Sequence, residues 1–150
     1  MTEIRHTTFS EVFNDPGFTA LFEEYSEEAA LSGLPQPNCQ VQIYEQMEAA
    51  GLLHVLGAFK DGQLTGFLNL LVNVLPHYGV RVGTAESFFV AADQRKNGGG
   101  LGLLREAERA AAAQGAVGFL ANAASGSRLA EVLPKAGYQE SHRLFFRSLP

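Results

Sequence analysis

The residues able to do chemistry concentrate between Glu86 and Leu101. A lone carboxylate is followed by Arg95-Lys96-Asn97-Gly98-Gly99-Gly100-Leu101. Phe88, Phe89 and Val90 form a short apolar run of β formers, and Leu101 to Gln114 consists almost wholly of strong helix formers. The order is therefore strand, glycine-rich turn, helix. Backbone N–H groups at a helix start have no partner inside the helix. Glycines let an anion reach them, and the helix dipole favours negative charge there. Arg95 and Lys96 place positive charge beside the same turn. The stretch reads as a phosphate-binding turn, since three consecutive glycines carry an entropy cost that a plain connection rarely bears.

Glu86 is the only acid between Asp61 and Asp93. It lies four residues before Val90, so strict strand alternation puts the two on one face. A carboxylate there can act as a general base; the plainer alternative is a strand-edge acid, solvated or paired with Arg81. Histidine is the side chain type suited to proton transfer near neutral pH, which makes His77, in the turn Pro76-His77-Tyr78-Gly79, the second candidate, against the reading of a surface turn histidine. His6, His54 and His142 have no spacing that suggests a metal site, and none is expected. Cys39 stands near a helix start that would favour a thiolate, but no partner histidine accompanies it, so it reads as packed and inert.

The turn is not a P-loop, because no lysine follows Gly100 or Gly102. Nor is it a dinucleotide fingerprint, which would need glycine at Leu103 or Arg105. What matches is Arg-x-x-Gly-x-Gly, Arg95 to Gly100, five residues after Val90. With its flanking strand and helix, it closely resembles the coenzyme A motif of the general-control-related N-acetyltransferases, the GNAT superfamily, most of all the short phage and bacterial members of undefined substrate. The resemblance implies acetyl-CoA as co-substrate. It implies Arg95 to Leu101 (Lys96, Asn97, Gly98, Gly99 and Gly100 included) around the pyrophosphate, and Phe89, Val90 and Ala91 along the pantetheine arm. Glu86 corresponds to a carboxylate that helps remove the proton of an amine acceptor in some members. The chain departs from the family near its end. Where many members carry a tyrosine that protonates the leaving thiolate, this chain has Leu133, and a common asparagine is replaced by Gly126. Ser127 or water is left as the substitute. Tyr138 occupies the closing aromatic position of that motif.

The elements that must position these residues read as follows. Residues 2–9 form a first strand. Asp15-Pro16 opens a helix with the stripe Phe18, Leu21, Phe22, Tyr25 and Ala29, ended by Gly33 and Pro35. Glu23, Glu24, Glu27 and Glu28 lie off that stripe and read as a solvated face. Asn38 caps a helix through Ala50, on which Tyr44 faces either the core or a cleft. Leu52 to Phe59 and Leu64 to Leu75 are strands joined by Asp61-Gly62, a two-residue hairpin signal. On the second, Phe67, Asn69, Leu71 and Asn73 share one face and Leu68, Leu70, Val72 and Val74 the other. A strand from about Arg81 carries Glu86. After the Leu101–Gln114 helix come a parallel strand, Ala116–Ala121, a helix, Ser125–Ala136, and a last strand centred on Leu144, Phe145 and Phe146. The expected fold is α/β (α+β): a mixed, mostly antiparallel sheet with one parallel pair, flanked by helices. The resemblance adds that this pair splays.

At 150 residues the chain is one domain with enough length for a core. Its net charge of −5 argues against a general nucleic-acid binder. Nine acids and one base fall in residues 1–50, which would suit a cationic acceptor beside an anionic cofactor, though solvation of a helix face explains much of it. A single cysteine, no signal-peptide pattern and no long apolar run point to the cytoplasm and away from a membrane. A homodimer is a reasonable assembly. The reading is an acetyl-CoA-dependent N-acetyltransferase of a small primary amine. The alternatives are a non-catalytic acyl-CoA-binding module and an enzyme acting on protein N-termini or lysines.

Overall fold

The computed structural model describes residues 1–150. Five strands form one sheet in chain order: β1 (Thr2–Thr7), β2 (Leu53–Lys60), β3 (Gln63–Leu75), β4 (Val80–Val90) and β5 (Gly118–Ala121). All neighbours are antiparallel except β4 and β5. Helices α1 (Phe9–Phe13), α2 (Phe18–Glu28) and α3 (Val41–Ala49) precede β2, and α4 (Gly99–Ala113) and α5 (Arg128–Lys135) flank β5.

Strand alternation divides the apolar residues between two layers. Leu56, Ala58, Leu68, Leu70, Val72, Ala85 and Val90 pack with Leu103, Leu104, Ala107 and Ala111 of α4. Val55, Phe67 and Phe89 pack on the other face with Phe9, Val12, Phe18 and Leu21 of α1 and α2. The β2–β3 hairpin turns at Asp61 (φ 50°) and Gly62 (φ 78°), the left-handed pair of a type I′ turn. Gly102 lets α4 approach β1: a Cβ there would lie 2.9 Å from Ile4 Cγ1.

Four expectations are corrected. The first strand stops at Thr7, and Phe9 enters a short helix whose Thr8 hydroxyl oxygen accepts from Glu11 N–H at 3.1 Å. Thr-x-x-Glu is a capping-box pattern, so the signal lay in the sequence. The next helix begins at Phe18, with Asp15 accepting from Gly17 N–H at 2.8 Å just before it. The third begins at Val41, three residues past Asn38, with no side-chain cap.

The fourth correction is the largest. No strand forms after α5, and Leu144 and Phe145 are 95% and 86% exposed. A strand needs a partner edge, and β5 offers only Gly118–Ala121. The segment crosses instead to the α2–α3 loop, where Phe146 Cε1 lies 2.9 Å from the place a Gly33 Cβ would take.

His6 of β1 and Glu106 of α4 are tied by a 2.8 Å bond, and Arg109 holds the other Glu106 oxygen at 2.6 Å. These partners, His6 foremost, hold the Glu106 carboxyl below its ordinary pKa. A depressed carboxylate pKa adds stability above the ordinary range and loses it as pH falls through the depressed value. Glu106→Gln should therefore melt lower than wild type at pH 7, by the equivalent of ~0.5–1 kcal/mol. Thermal melts against pH should show the gap closing under acid.

Candidate active site

The glycine turn starts α4. Beyond β4 the chain makes a tight 3₁₀ turn, Ala92–Asn97, and Gly98 adopts φ 77°, a conformation other residues strain to reach. No side chain caps α4. Its first N–H groups, on Gly99, Gly100 and Leu101, therefore have no partner within the helix and no side chain to cap them. A Cβ at Gly98 would meet nothing within 4 Å, so the space before the helix is open. Lys96 is exposed beside it and makes no ion pair. Asn97 is turned inward on the loop, donating to Gln94 at 2.7 Å.

Arg95 behaves otherwise. Its guanidinium grips both Glu28 oxygens at 2.7 and 2.8 Å, donates from Nε to Val90 O at 3.0 Å and lies 5.1 Å over the Phe89 ring. Glu24 accepts from Ala92 N–H at 3.2 Å. Two of the four acids read as a solvated face thus fasten α2 to the turn. The Arg95 side chain fastens the turn to α2 and to the end of β4. Arg95→Met, which keeps the stem and deletes the fork, should cost ~1–2 kcal/mol of stability by thermal melting. Coenzyme A affinity, measured by calorimetry, should fall less than tenfold.

The edge of β4 opens where the turn needs it. β5 ends at Ala121, opposite Ala85, while β4 continues to Val90. Residues Glu86 to Val90 therefore have no neighbour on that side. Ala91 N–H is already donated to Thr65 O at 2.9 Å, and Phe89 is registered against Phe67. Alternation then turns the backbone groups of Val90 and Phe88 to the open edge. Of the three residues expected along the arm, Val90 faces the gap with its carbonyl already accepting from Arg95 Nε, Phe89 faces β3, and Ala91 gives its N–H to β3 while its carbonyl accepts from Gln94 N–H at 2.9 Å.

Glu86 is the bulge of β4. Ser87 pairs with Asn69 and Ala85 with Leu70, leaving Glu86 without a partner. This overturns the shared face with Val90: an extra residue resets the alternation. Val90 packs toward α4, and Glu86 turns to the α1–α3 side. There Tyr44 of α3 donates to Glu86 Oε1 at 2.8 Å and Ser87 donates to Oε2 at 2.8 Å. Asn69 Nδ2 donates to Ser87 Oγ at 2.8 Å. Asn69 and Ser87 are the two buried polar residues of the chain, 6% and 7% exposed. Tyr44 stacks on Phe9 at 4.6 Å between ring centroids. Burial, with the nearby Glu86 charge second, raises the Tyr44 and Tyr25 phenols and the Cys39 thiol above their ordinary pKa values. Cys39 is thus a neutral, half-buried wall residue, as expected. Arg81 does not pair with Glu86 but lies near Gly115.

The remaining candidates lie elsewhere. His77 is exposed in its turn, edge-on to Tyr78, roughly 20 Å along β4 from Glu86 at ~3.3 Å per residue. Ser127 caps α5, accepting from Ala130 N–H at 3.2 Å, with its own proton left to donate. Leu133 is buried among the α4-side core residues. Tyr138 donates to Glu108 at 2.6 Å and packs on Phe119. No three His, Cys, Asp or Glu side chains converge as metal ligands, and no helix is long and apolar enough to cross a membrane.

A glycine-started helix beside a split parallel pair is a combination that can be compared with known proteins. Residues 1–138 match the acetyltransferase (GNAT) family. The chain belongs to that family. No curated protein matches it. Solved GNAT structures do, at the level of the fold. A ribosomal-protein-alanine N-acetyltransferase from Brucella melitensis biovar Abortus 2308 superposes with TM-score 0.75 at 16% identity, covering 100% of both chains. An aminoglycoside acetyltransferase from an uncultured soil metagenomic sample gives 0.76 at 15%, covering 100% of this chain and 99% of the other. A glucosamine-6-phosphate N-acetyltransferase from Arabidopsis thaliana gives 0.73 at 12%, covering 98% and 97%. The mixed sheet with its one parallel pair is therefore the GNAT fold.

Sequence reasoning missed Ser87 and Asn69 beside Glu86 and left Tyr44 undecided. Asn69 did carry a signal, a polar residue inside the apolar run Phe67 to Leu71. Tyr44 carried none, because its partner lies 42 residues away.

Proposed function

We propose that this GNAT protein transfers an acetyl group from acetyl-CoA to a primary amine of a small molecule. The observation that carries the reading is the bulge, which turns the exposed Glu86 carboxylate to the α1–α3 side of the sheet, where Tyr44 and Ser87 hold it beside the open edge of β4. The residues present suit the co-substrate. The orphan N–H groups of Gly99, Gly100 and Leu101, with Lys96, would hold the pyrophosphate. The open backbone of Phe88 and the N–H of Val90 would pair with the amide-bearing arm, as an added strand does, the Val90 carbonyl being held by Arg95 Nε. Acetyl-CoA supplies an activated acyl carbon on a thiol leaving group.

The protein's part is positioning and proton transfer. An amine of pKa ~10 is mostly protonated at neutral pH and cannot attack. Glu86, directly or through a water, takes that proton. The amine nitrogen then bonds to the acyl carbon, the C–S bond breaks, and the thiolate leaves. A thiol of pKa ~8.5 departs without obligatory help; the Ser127 hydroxyl and water are the available donors. Tyr44 and Ser87 use one site on each carboxylate oxygen and leave the others for the substrate. The single cysteine suits a reducing compartment, and we place the enzyme in the cytoplasm.

A second reading, a non-catalytic acyl-CoA-binding module, is favoured by one observation. Leu133 lies buried where many relatives carry the thiolate's proton donor. Two measurements divide the readings. Calorimetry with coenzyme A tests the turn, and thiol release from acetyl-CoA across a panel of amines tests transfer. Binding with transfer supports the enzyme, binding without transfer supports the module, and no binding at millimolar ligand defeats both.

A further inference from the structure

The two buried polar side chains of the sheet both connect to Glu86. Asn69 and Ser87 stand opposite each other across β3 and β4, in the register position that adjoins the bulge. The bulge brings the consecutive side chains of Glu86 and Ser87 within reach of each other, and Ser87 Oγ lies 2.8 Å from Glu86 Oε2. Asn69 Nδ2 lies 2.8 Å from the same Ser87 oxygen. The neighbours of Asn69 on its face of β3 are Phe67 and Leu71, both in the apolar layer with α1 and α2. An amide buried there gives up its hydration, a cost that a leucine in the same run would not carry.

Chemistry fixes the direction of each bond. An ionised carboxylate only accepts, so the single Ser87 proton goes to Glu86. Ser87 Oγ then has only lone pairs to offer Asn69, and Nδ2 is the donating end of that amide. With Nδ2 on one side of Oγ, the proton has no place on that side and is left for Glu86. Glu86 is itself exposed, and the hydroxyls of Ser87 and Tyr44 are what hold its carboxylate.

We infer that Asn69 is a positioning residue for Glu86: it commits the Ser87 proton to the carboxylate and so holds the proposed base in one orientation. The inference rests on the acyl-transfer reading for its effect on rate, and on the hydrogen-bond chain alone for its geometry.

Asn69→Leu removes the donor and keeps the bulk. It should lower kcat about tenfold, since a misplaced reacting group costs rate steeply. Coenzyme A affinity, by calorimetry, and the melting temperature should hold. Because Asn69 acts through Ser87, adding Asn69→Leu to Ser87→Ala should cost nothing further. Unchanged kcat overturns the inference, as does a further loss in the double variant or a loss matched by weaker coenzyme A binding. A second readout needs neither turnover nor the leucine variant. The Asn69 side-chain amide, followed by heteronuclear NMR, should shift in Ser87→Ala and also in Glu86→Gln, although Ser87 stands between Asn69 and Glu86. It should stay in place in Glu23→Gln, an exposed acid of α2. An amide signal unmoved by Glu86→Gln overturns the inference. Should Asn69→Leu melt early, or wild type acetylate no amine, this signal decides alone: movement in both variants upholds the inference, in the second case with the enzymatic reading fallen.

Discussion

Glu86→Gln should lower kcat/KM by ~10² to 10⁴-fold at neutral pH, the usual loss when a general base is removed. The substitution keeps the shape of the side chain. Tyr44 can still donate to the remaining carbonyl oxygen, and the β4 bulge is a backbone feature that the change does not touch. Stability should therefore change little. Coenzyme A affinity should also hold, because the proposed cofactor contacts lie at the start of α4 and on the open β4 edge. The loss should shrink as pH rises toward the pKa of the amine, since more acceptor is then already neutral. The measurement is kcat/KM against pH for both proteins, with coenzyme A binding by calorimetry alongside. Equal activity at neutral pH would remove Glu86 from the mechanism. His77, roughly 20 Å away along β4 at ~3.3 Å per residue, would not take its place without a large movement of the β3–β4 turn. A loss matched by weakened cofactor binding would make Glu86 structural.

The second large effect is expected from Gly100→Asp. A Cβ at Gly100 meets only Phe88 Cζ at 3.7 Å and Val90 Cγ2 at 3.8 Å, ordinary contacts that need no backbone movement. The residue lies in the first turn of α4, where a carboxylate is favoured by the helix dipole and can satisfy free N–H groups. The melting temperature should thus be unchanged or slightly raised. The same carboxylate would occupy the donors that the pyrophosphate needs and repel its charge. Coenzyme A affinity should fall at least tenfold, with little relief from salt because the donors themselves are blocked. Calorimetry and a thermal melt on one preparation separate the outcomes. A stable variant that binds coenzyme A as wild type does would show that the phosphate lies elsewhere. Gly98→Ala would be a poorer test, because φ 77° at that position strains any side chain and confuses folding with binding.

The sequence by itself determined much of this protein. The turn from Arg95 to Leu101 declares itself through glycines between a β-rich run and a helix-rich run, all local signals. The β2–β3 hairpin follows from Asp61-Gly62, and the two faces of β3 from Phe67 to Val74 follow from simple alternation, which the structure keeps beyond a bulge at Thr65. The parallel pair follows from a helix standing between two strands.

Only the tertiary structure decided the rest. Whether Glu86 faces α4 or α3 depends on one extra residue in the β4 ladder, and a bulge exists only relative to a partner strand. Whether Arg95 meets a phosphate or Glu28 depends on α2, 67 residues earlier in the chain. Whether Tyr44 joins the core or the site depends on how α3 lies over β4. The Leu144-Phe145-Phe146 run reads as a strand by composition, yet a strand is a relation between two edges, and β5 is too short to supply one. Local chemistry could name Glu86 and the glycine turn but not Asn69 and Ser87; how these residues are oriented is set by contacts between segments far apart in sequence, where pattern and propensity carry no information.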